Sequence, residues 1–210
     1  MKERTDGRDT RWAHHRVQRR RELVESTLRA IRRHGASVGM EEIAAEAGTS
    51  KTVIYRHFGD RSGLYLAVVE KVADFILDDL RASIGGDDPE DEATLIADMA
   101  HAYLGLVERD PEIYRFVISR PLVDKPLTED PVTGLTKRIG QHVAEVLRRG
   151  GHPDPIAATW GHGLVGFVRA TTDEWIAAGM PRDRRQVADD LAHLFAPAFA
   201  APQSSLSGPS

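Results

Sequence analysis

The chain has 210 residues, no cysteine and a formal net charge of −4, which excludes disulfides, thiol redox sensing and cysteine-ligated zinc. Its length allows one or two domains with a buried core, and no apolar run approaches the roughly 18 to 20 residues of a membrane-spanning helix. The N-terminus is basic and polar, without the apolar core of a signal peptide. We therefore expect a cytoplasmic protein with no membrane partner.

The charge is divided unevenly along the chain. Residues 1–60 contain 13 Lys and Arg against 9 Asp and Glu, whereas residues 61–210 contain 15 against 23. A basic N-terminal part followed by an acidic remainder fits DNA contact at one end and self-association or ligand binding at the other, although the asymmetry could also be accidental.

The N-terminal region is predicted to be a polar arm followed by a helix. Residues 1–14 offer little to bury, which predicts a disordered basic arm. From about His15 to His34 apolar residues recur at helical spacing until Gly35 ends the pattern. The apolar positions are Val17, Leu23, Val24, Thr27, Leu28 and Ile31. The same helix carries several arginines, which either form a solvated face or contact phosphate: Arg19, Arg20, Arg21, Arg29, Arg32 and Arg33.

Residues 39–64 carry the most informative pattern, two short helices around a tight turn. The first helix has apolar residues at i, i+3, i+4 and i+7, namely Met40, Ile43, Ala44 and Ala47. Gly48 supplies a permissive turn residue, and Ser50 is a good N-cap for a second helix that ends near Phe58.

The second of these helices presents two different faces. Val53, Ile54 and Phe58 can face a core. The outer face then holds a cation, a hydroxyl, a phenol and an imidazole within two turns, on Lys51, Thr52, Tyr55 and His57. Such groups suit phosphates and base edges, so the pattern predicts a DNA-reading helix-turn-helix.

The same stretch resembles the N-terminal DNA-binding domain of the TetR family of transcriptional regulators. The family's Ile-Ala pair, Ala-Gly-Val-Ser turn and Leu-Tyr-x-His/Tyr-Phe helix correspond here to Ile43-Ala44, residues 47–50 and residues 54–58, with the exit at residues 60–64. The family usually has Thr or Ser where this chain has Val38-Gly39, so one hydroxyl contact to phosphate is missing. The resemblance implies a DNA-contact set of Gly39, Thr49, Ser50, Lys51, Thr52, Tyr55, His57 and Arg61, the last replacing the family's usual Lys.

The remaining chain is predicted to be helical throughout. Helices are expected over about 62–84, 89–109, 111–119, 131–149, 155–178 and 183–199, with Asp-Pro pairs opening several of them and Gly-Gly pairs ending two. No sustained period-two alternation is present. The sequence thus predicts an all-α protein of about nine helices, with a three-helix DNA-binding domain at 15–61, a larger helical domain for ligand binding and dimerisation at 62–200, and a disordered tail at 201–210.

Residues 161–166 match the dinucleotide-binding pattern G-x-G-x-x-G, but no strand precedes them and the βαβ context is missing. Each glycine costs a helix roughly 1 kcal/mol relative to Ala, so three within six residues indicate a packing reason. We expect Gly161, Gly163 and Gly166 to form a small-residue face that admits a partner helix. The resemblance implies that this helix and the last one build a four-helix dimer interface.

Metal binding and catalysis are not supported by the pattern. The nine histidines are dispersed, and no pair has the i, i+3 or i, i+4 spacing of metal ligands. Ser119, Asp124 and His142 can be drawn as a triad, but no nucleophile elbow or other signature accompanies them. We expect no metal, no cofactor and no catalytic residues.

A small-molecule site in the larger domain is more plausible. Apolar lining with a few polar anchors is typical of ligand pockets in helical bundles, although each aromatic residue taken alone is more often simply part of the core. The candidate residues are Met99, Tyr103, Phe116, Arg120, Trp160, His162, Phe167, Arg169 and Trp175. An arginine on an apolar wall would suit a carboxylate or acyl-thioester ligand.

The resemblance implies a dimeric regulator whose two heads bind an operator with an inverted repeat, most often as a repressor released by an apolar or amphipathic ligand. Two alternatives stay open: an activating or ligand-independent regulator, and a helical ligand-carrying or interaction module without an operator.

Overall fold

The computed structural model describes residues 7–83, 92–123 and 130–200, and in these ranges it contains nine helices and no strand. In chain order they are α1 (Gly7–His34), α2 (Met40–Glu46), α3 (Lys51–Phe58), α4 (Arg61–Ser83), α5 (Glu92–Arg109), α6 (Pro111–Ser119), α7 (Pro131–Arg149), α8 (Asp154–Ala177) and α9 (Arg184–Ala200). The all-α prediction is confirmed. The predicted Asp88-Pro89 helix start and the predicted tail lie outside the described residues, and no described helix is long and apolar enough to cross a membrane.

α1 begins at Gly7 rather than at about His15, so residues 7–14 are helical where disorder was predicted. No proline or glycine interrupts residues 8–34, and a helix that has already formed gains one backbone hydrogen bond for each residue added. The predicted apolar stripe is also shorter than expected, because the Val17 side chain is 51% exposed. The buried face of α1 begins at Leu23.

Compactness divides the chain into two units. The first comprises Met1–Val72 and Glu112–Thr128, and the second comprises Ala73–Pro111 and Glu129–Ser210. These units differ from the domains 15–61 and 62–200, which stay a prediction.

The core of the first unit gathers the apolar faces of α1, α2 and α3, which contact one another. Residues from all three helices are fully or almost fully buried there, among them Leu23, Leu28, Ile31, Ile43 and Ile54. α6 belongs to the same unit, because the Tyr65 hydroxyl donates to the Val117 carbonyl at 2.7 Å and the Tyr65 ring packs on Phe116. The Glu112 carboxylate accepts a hydrogen bond from the Ala36 amide at 2.8 Å, just after α1 ends.

The second unit packs α7 against α8 and α5 against α9. α7 and α8 meet at their glycines: a Cβ added at Gly161 would lie 2.6 Å from the Gly140 carbonyl oxygen and 2.7 Å from the Ala144 amide nitrogen. The close backbone approach predicted for the small-residue face is thus found at Gly161, where the partner is α7 of the same chain. Gly163 and Gly166 point into open space, because residues two and five positions further along a helix face other directions.

Candidate nucleic-acid interface

α2 forms one wall of the helix-turn-helix. Its Met40, Ile43 and Ala44 side chains are buried against the rest of the first unit, as the spacing predicted. Gly39 precedes the helix in an extended conformation, and its amide donates to the Glu42 carboxylate at 3.1 Å. The family usually has a Thr or Ser hydroxyl at this position. In this chain the Gly39 amide is already bonded to the Glu42 carboxylate.

The turn between α2 and α3 has the predicted geometry. Gly48 adopts φ +58°, a left-handed conformation that glycine takes without steric cost. The Thr49 amide donates to the Ala44 carbonyl at 3.0 Å and closes the turn. Ser50 then caps α3, because its hydroxyl accepts from the Val53 amide at 3.4 Å.

α3 is the second helix of the motif, the one predicted to read DNA, and is called the reading helix below. Ile54 and Phe58 are buried, which confirms the predicted inner face and fixes the rotation of the helix. Lys51 and Thr52 are exposed, and Tyr55 and His57 are half-buried.

Arg56 is a further candidate that the sequence argument did not single out. It is exposed in the last turn of α3, four residues after Thr52 and therefore on the same side of the helix. That i, i+4 spacing was the available signal.

An arginine of α1 clamps the C-terminal end of α3. The Arg20 guanidinium donates to the His57 carbonyl at 2.5 Å, and its Cζ lies 4.3 Å from the centre of the Phe58 ring. The last carbonyls of a helix lack partners inside the helix and carry a partial negative charge, which a cation satisfies. Arg20 therefore fixes the end of the reading helix to α1.

The same end of α3 is strongly electropositive. Burial lowers the pKa of His57, and the neighbouring charges of Arg56, Arg19 and Arg20 lower it further. A phosphate placed beside this imidazole would find three guanidinium groups within electrostatic reach.

At the other end of α3, Lys51 forms an ion pair with Glu41 of α2. The hydrogen bond from Lys51 holds the pKa of Glu41 below its usual range, and the same bond raises the pKa of Lys51. Arg61, the first residue of α4, is half-buried and donates to the Pro121 carbonyl at 3.4 Å.

The arginines of α1 do not share one environment. Arg29 and Arg33 lie 3.3 Å and 3.6 Å from the Glu46 carboxylate, and Arg19 lies 3.1 Å from Glu22. Arg20 is bound to α3. The arginines for which a solvated face or phosphate contact was expected are thus partly neutralised by acidic neighbours.

The nine candidate ligand residues are spread over both units. Phe116 and Arg120 belong to the first unit and the other seven to the second. Within the second unit the Trp160 ring packs on His152, the Phe167 ring meets Phe195 edge-on at 5.2 Å, and the Trp175 indole donates to the Arg182 carbonyl.

The candidate ligand residues also differ in solvent exposure. Met99, Phe116 and Trp175 are buried, whereas His162 and Phe167 are exposed and the remaining four are half-buried. The ligand set stays a prediction. Within the described ranges, no three His, Asp or Glu side chains form a group that could hold a metal ion.

Comparison with known proteins identifies the family. Residues 23–68 match the model for bacterial regulatory proteins of the tetR family, and residues 79–210 match a tetracyclin repressor-like C-terminal domain. The chain belongs to the TetR family. This TetR protein is 35% identical over 192 residues to Rv0472c of Mycobacterium tuberculosis H37Rv, an uncharacterized HTH-type transcriptional regulator, in a match that covers 89% of this chain and 78% of the relative. It is a DNA-binding transcriptional regulator.

Solved structures share the fold of this TetR protein. A tetR-family regulator from Streptomyces coelicolor superposes with a TM-score of 0.70 at 18% identity, covering 91% of this chain and 84% of that one. FadR from Bacillus subtilis, determined in complex with stearoyl-CoA, superposes with a TM-score of 0.60 at 13% identity, covering 83% and 96% of the two chains.

Proposed function

We propose that this chain is a cytoplasmic repressor that binds an inverted-repeat operator as a homodimer and is released by an apolar or amphipathic small molecule. Ser50, Lys51, Thr52, Tyr55 and His57 contact the DNA. Gly39 and Thr49 lie beside the sugar-phosphate backbone of the DNA, and Arg61 binds one of its phosphates. One observation carries the DNA part: α3 is fixed at both ends, by the Ser50 cap and the Arg20 clamp, so its polar face is presented in one orientation.

The homodimer is supported by an apolar surface on α8 and α9. Phe167 is 41% exposed and Leu194 is 58% exposed, and Gly163 and Gly166 have open space beside them. Exposed apolar groups of this kind often mark an interaction surface. A two-fold dimer would use the same surface on both chains.

The ligand proposal is supported by the shared fold with FadR, which was determined with stearoyl-CoA. A long acyl chain requires an apolar lining, and Arg120 or Arg169 would suit its polar end. Native mass spectrometry of the purified protein, searching for a co-purified small molecule, tests this part of the proposal.

Two alternatives lead to different observations. An activator would bind the operator but would increase transcription. A ligand-independent regulator would bind the operator and would stay bound when a small molecule is added. A helical interaction module without an operator would bind no DNA specifically, and the exposed Lys51, Thr52 and Arg56 on a capped helix speak against it.

A footprint on the DNA upstream of the chain's own gene tests the DNA proposal. Two helix-turn-helix heads in a two-fold dimer reach successive major grooves about 34 to 36 Å apart, so protection of two half-sites is expected. Protection of a single half-site at saturating protein would contradict the dimeric model.

Tyr55→Phe tests the contact made by the reading helix. The change removes one hydroxyl and should weaken binding to all sequences if that hydroxyl meets a phosphate.

A further inference from the structure

Glu41 places a carboxylate inside the surface that is proposed to contact DNA. It lies in the first turn of α2, 71% of its side chain is exposed, and its partner is the Lys51 ammonium at the start of the reading helix. The carboxylate also feels the charge of Arg61, the proposed phosphate anchor. One acidic side chain therefore engages Lys51 directly and lies within electrostatic reach of Arg61.

A carboxylate and a phosphate compete for the same cation. Both accept charge-assisted hydrogen bonds from an ammonium group, and Lys51 offers its donors from a flexible stem. In the free protein the ammonium group donates one hydrogen bond to Glu41 and forms an ion pair with it. DNA must either displace the carboxylate or accommodate a negative charge beside its own backbone.

We propose that Glu41 is an internal competitor for DNA phosphate, which holds Lys51 in the free protein and lowers the affinity for DNA of any sequence. This inference rests on the proposed function, because it assumes that α3 faces DNA and that Lys51 meets a phosphate there. Phosphate contacts carry no sequence information, so the competition weakens operator and non-operator binding by the same factor. The pair thereby limits the retention of the protein on non-specific DNA without changing its choice of site.

The salt dependence of binding follows from the same competition. Each phosphate neutralised by a cation steepens the plot of log affinity against log salt by about 0.9. A lysine that still shares its charge with a carboxylate neutralises less than one phosphate. Removal of Lys51 from the wild-type chain should therefore flatten the plot by less than this amount, and the full change should appear only when Glu41 has been neutralised.

The test measures binding of wild type, Glu41→Gln, Lys51→Gln and the double variant over a range of salt concentrations. The probes are a mixed-sequence duplex and a duplex from the DNA upstream of the chain's own gene. Glu41→Gln should bind both duplexes about two- to fivefold more tightly, the range that corresponds to an exposed ion pair, with a salt dependence steeper by up to about 0.9. In the Lys51→Gln background the same change should have little effect.

Glu42→Gln is the matched control. It removes the same charge one residue away, but its carboxylate accepts from the Gly39 amide and not from Lys51. An equal gain for Glu42→Gln, or an equal gain for Glu41→Gln without Lys51, would show long-range repulsion and overturn the proposal.

Two further outcomes separate this inference from the function on which it rests. Weaker operator binding by Glu41→Gln, with unchanged binding to the mixed-sequence duplex, would make Glu41 a base-contacting residue and also overturn the proposal. A folded wild type that binds neither duplex would overturn the proposed function itself. Circular dichroism of each variant checks that the helices are intact.

Discussion

The reading helix α3 and helix α8 of the second unit are held against their neighbours in opposite ways. At α3, long or polar side chains close both ends, through the Ser50 hydroxyl and the Arg20 guanidinium. At α8, the absence of a side chain makes the contact, because a Cβ on Gly161 would meet the backbone of α7. Replacing a surface side chain causes a graded loss of stability or affinity. A contact between two backbones leaves no room for an added side chain.

The largest effect is expected at Gly161. Gly161→Leu should force α7 and α8 apart within one subunit and cost about 3 kcal/mol or more in the free energy of unfolding, because overpacked atoms meet backbone that cannot move aside. Urea unfolding followed by circular dichroism measures this loss.

Gly134→Leu provides the control for Gly161. Gly134 lies on α7 with open space beside it, and Leu is the better helix former. The control should therefore be at least as stable as the wild type. Equal stability of both variants would mean that α7 and α8 are not in close contact.

The same substitution further along α8 should break the proposed dimer and leave the single chain folded. Gly166 has no neighbouring atom within 4 Å in the single chain, so Gly166→Leu should retain its helicity. If a partner helix covers this face, overpacking costs about 1 to 3 kcal/mol at each of two equivalent sites. Sedimentation should show monomers, and operator affinity should fall with the loss of the dimer.

A Gly166→Leu protein that stays dimeric and binds DNA normally would place the dimer surface elsewhere. Gly163→Leu serves as a second probe of the same face, since it is also exposed with open space beside it. Agreement between the two variants separates an interface from a local effect of one side chain.

The contrast between α3 and α8 also separates what the sequence could predict from what it could not. The turn at Gly48, the Ser50 cap and the inward direction of Ile54 and Phe58 are local features, set by residues within one or two turns, and all of them were predicted. The partner of Gly161 lies about twenty positions away on α7, and no local pattern states which helix fills a small-residue face.

Pairings between elements were equally invisible in the sequence. The Arg20 clamp joins residues 37 positions apart, and the Lys51–Glu41 pair crosses the turn between two helices. Arg56 was missed for a different reason, since it occupies a variable position of the family pattern, although its i, i+4 spacing from Thr52 already places it on the outer face of α3. The helical start of α1 was missed because charged residues that bury little can still extend an existing helix.

An intermediate effect is expected at Arg20. Arg20→Met removes both the hydrogen bond to the His57 carbonyl and the cation–π contact with Phe58, so the end of α3 should loosen and operator binding should weaken about three- to tenfold. Since this guanidinium is directed at a carbonyl, the salt dependence should change little. A direct phosphate contact would instead flatten it by about 0.9.

Arg21→Met is the matched control for Arg20, because Arg21 is the next residue of α1 and is also exposed. It should bind the operator almost as the wild type does. Arg20→Lys keeps the charge but loses the planar group that stacks on Phe58, so it should restore only part of the affinity. Full restoration by Lys would show that charge alone matters at this position.

The smallest effect is expected from the pH dependence of DNA binding. Burial and the charges of Arg56, Arg19 and Arg20 lower the pKa of His57 below the usual 6.5, so its ring is neutral at pH 7 in the free protein. Phosphates brought close by DNA favour the protonated ring and raise this pKa. The complex then binds more protons than the free protein, and affinity should rise a few-fold as the pH falls from about 8 to about 6 at constant ionic strength.

A fall in pH has the opposite effect on the folding of the protein through His57, and this difference separates the two effects. The unfolded chain protonates His57 at the usual pKa, whereas the folded protein resists protonation, so His57 lowers the free energy of unfolding as the pH falls through about 6.5. Tighter DNA binding at lower pH therefore cannot arise from a stabilising effect of His57 protonation on the DNA-binding domain. His57→Gln should flatten the pH dependence of affinity, and an unchanged slope in that variant would assign the proton uptake to another group.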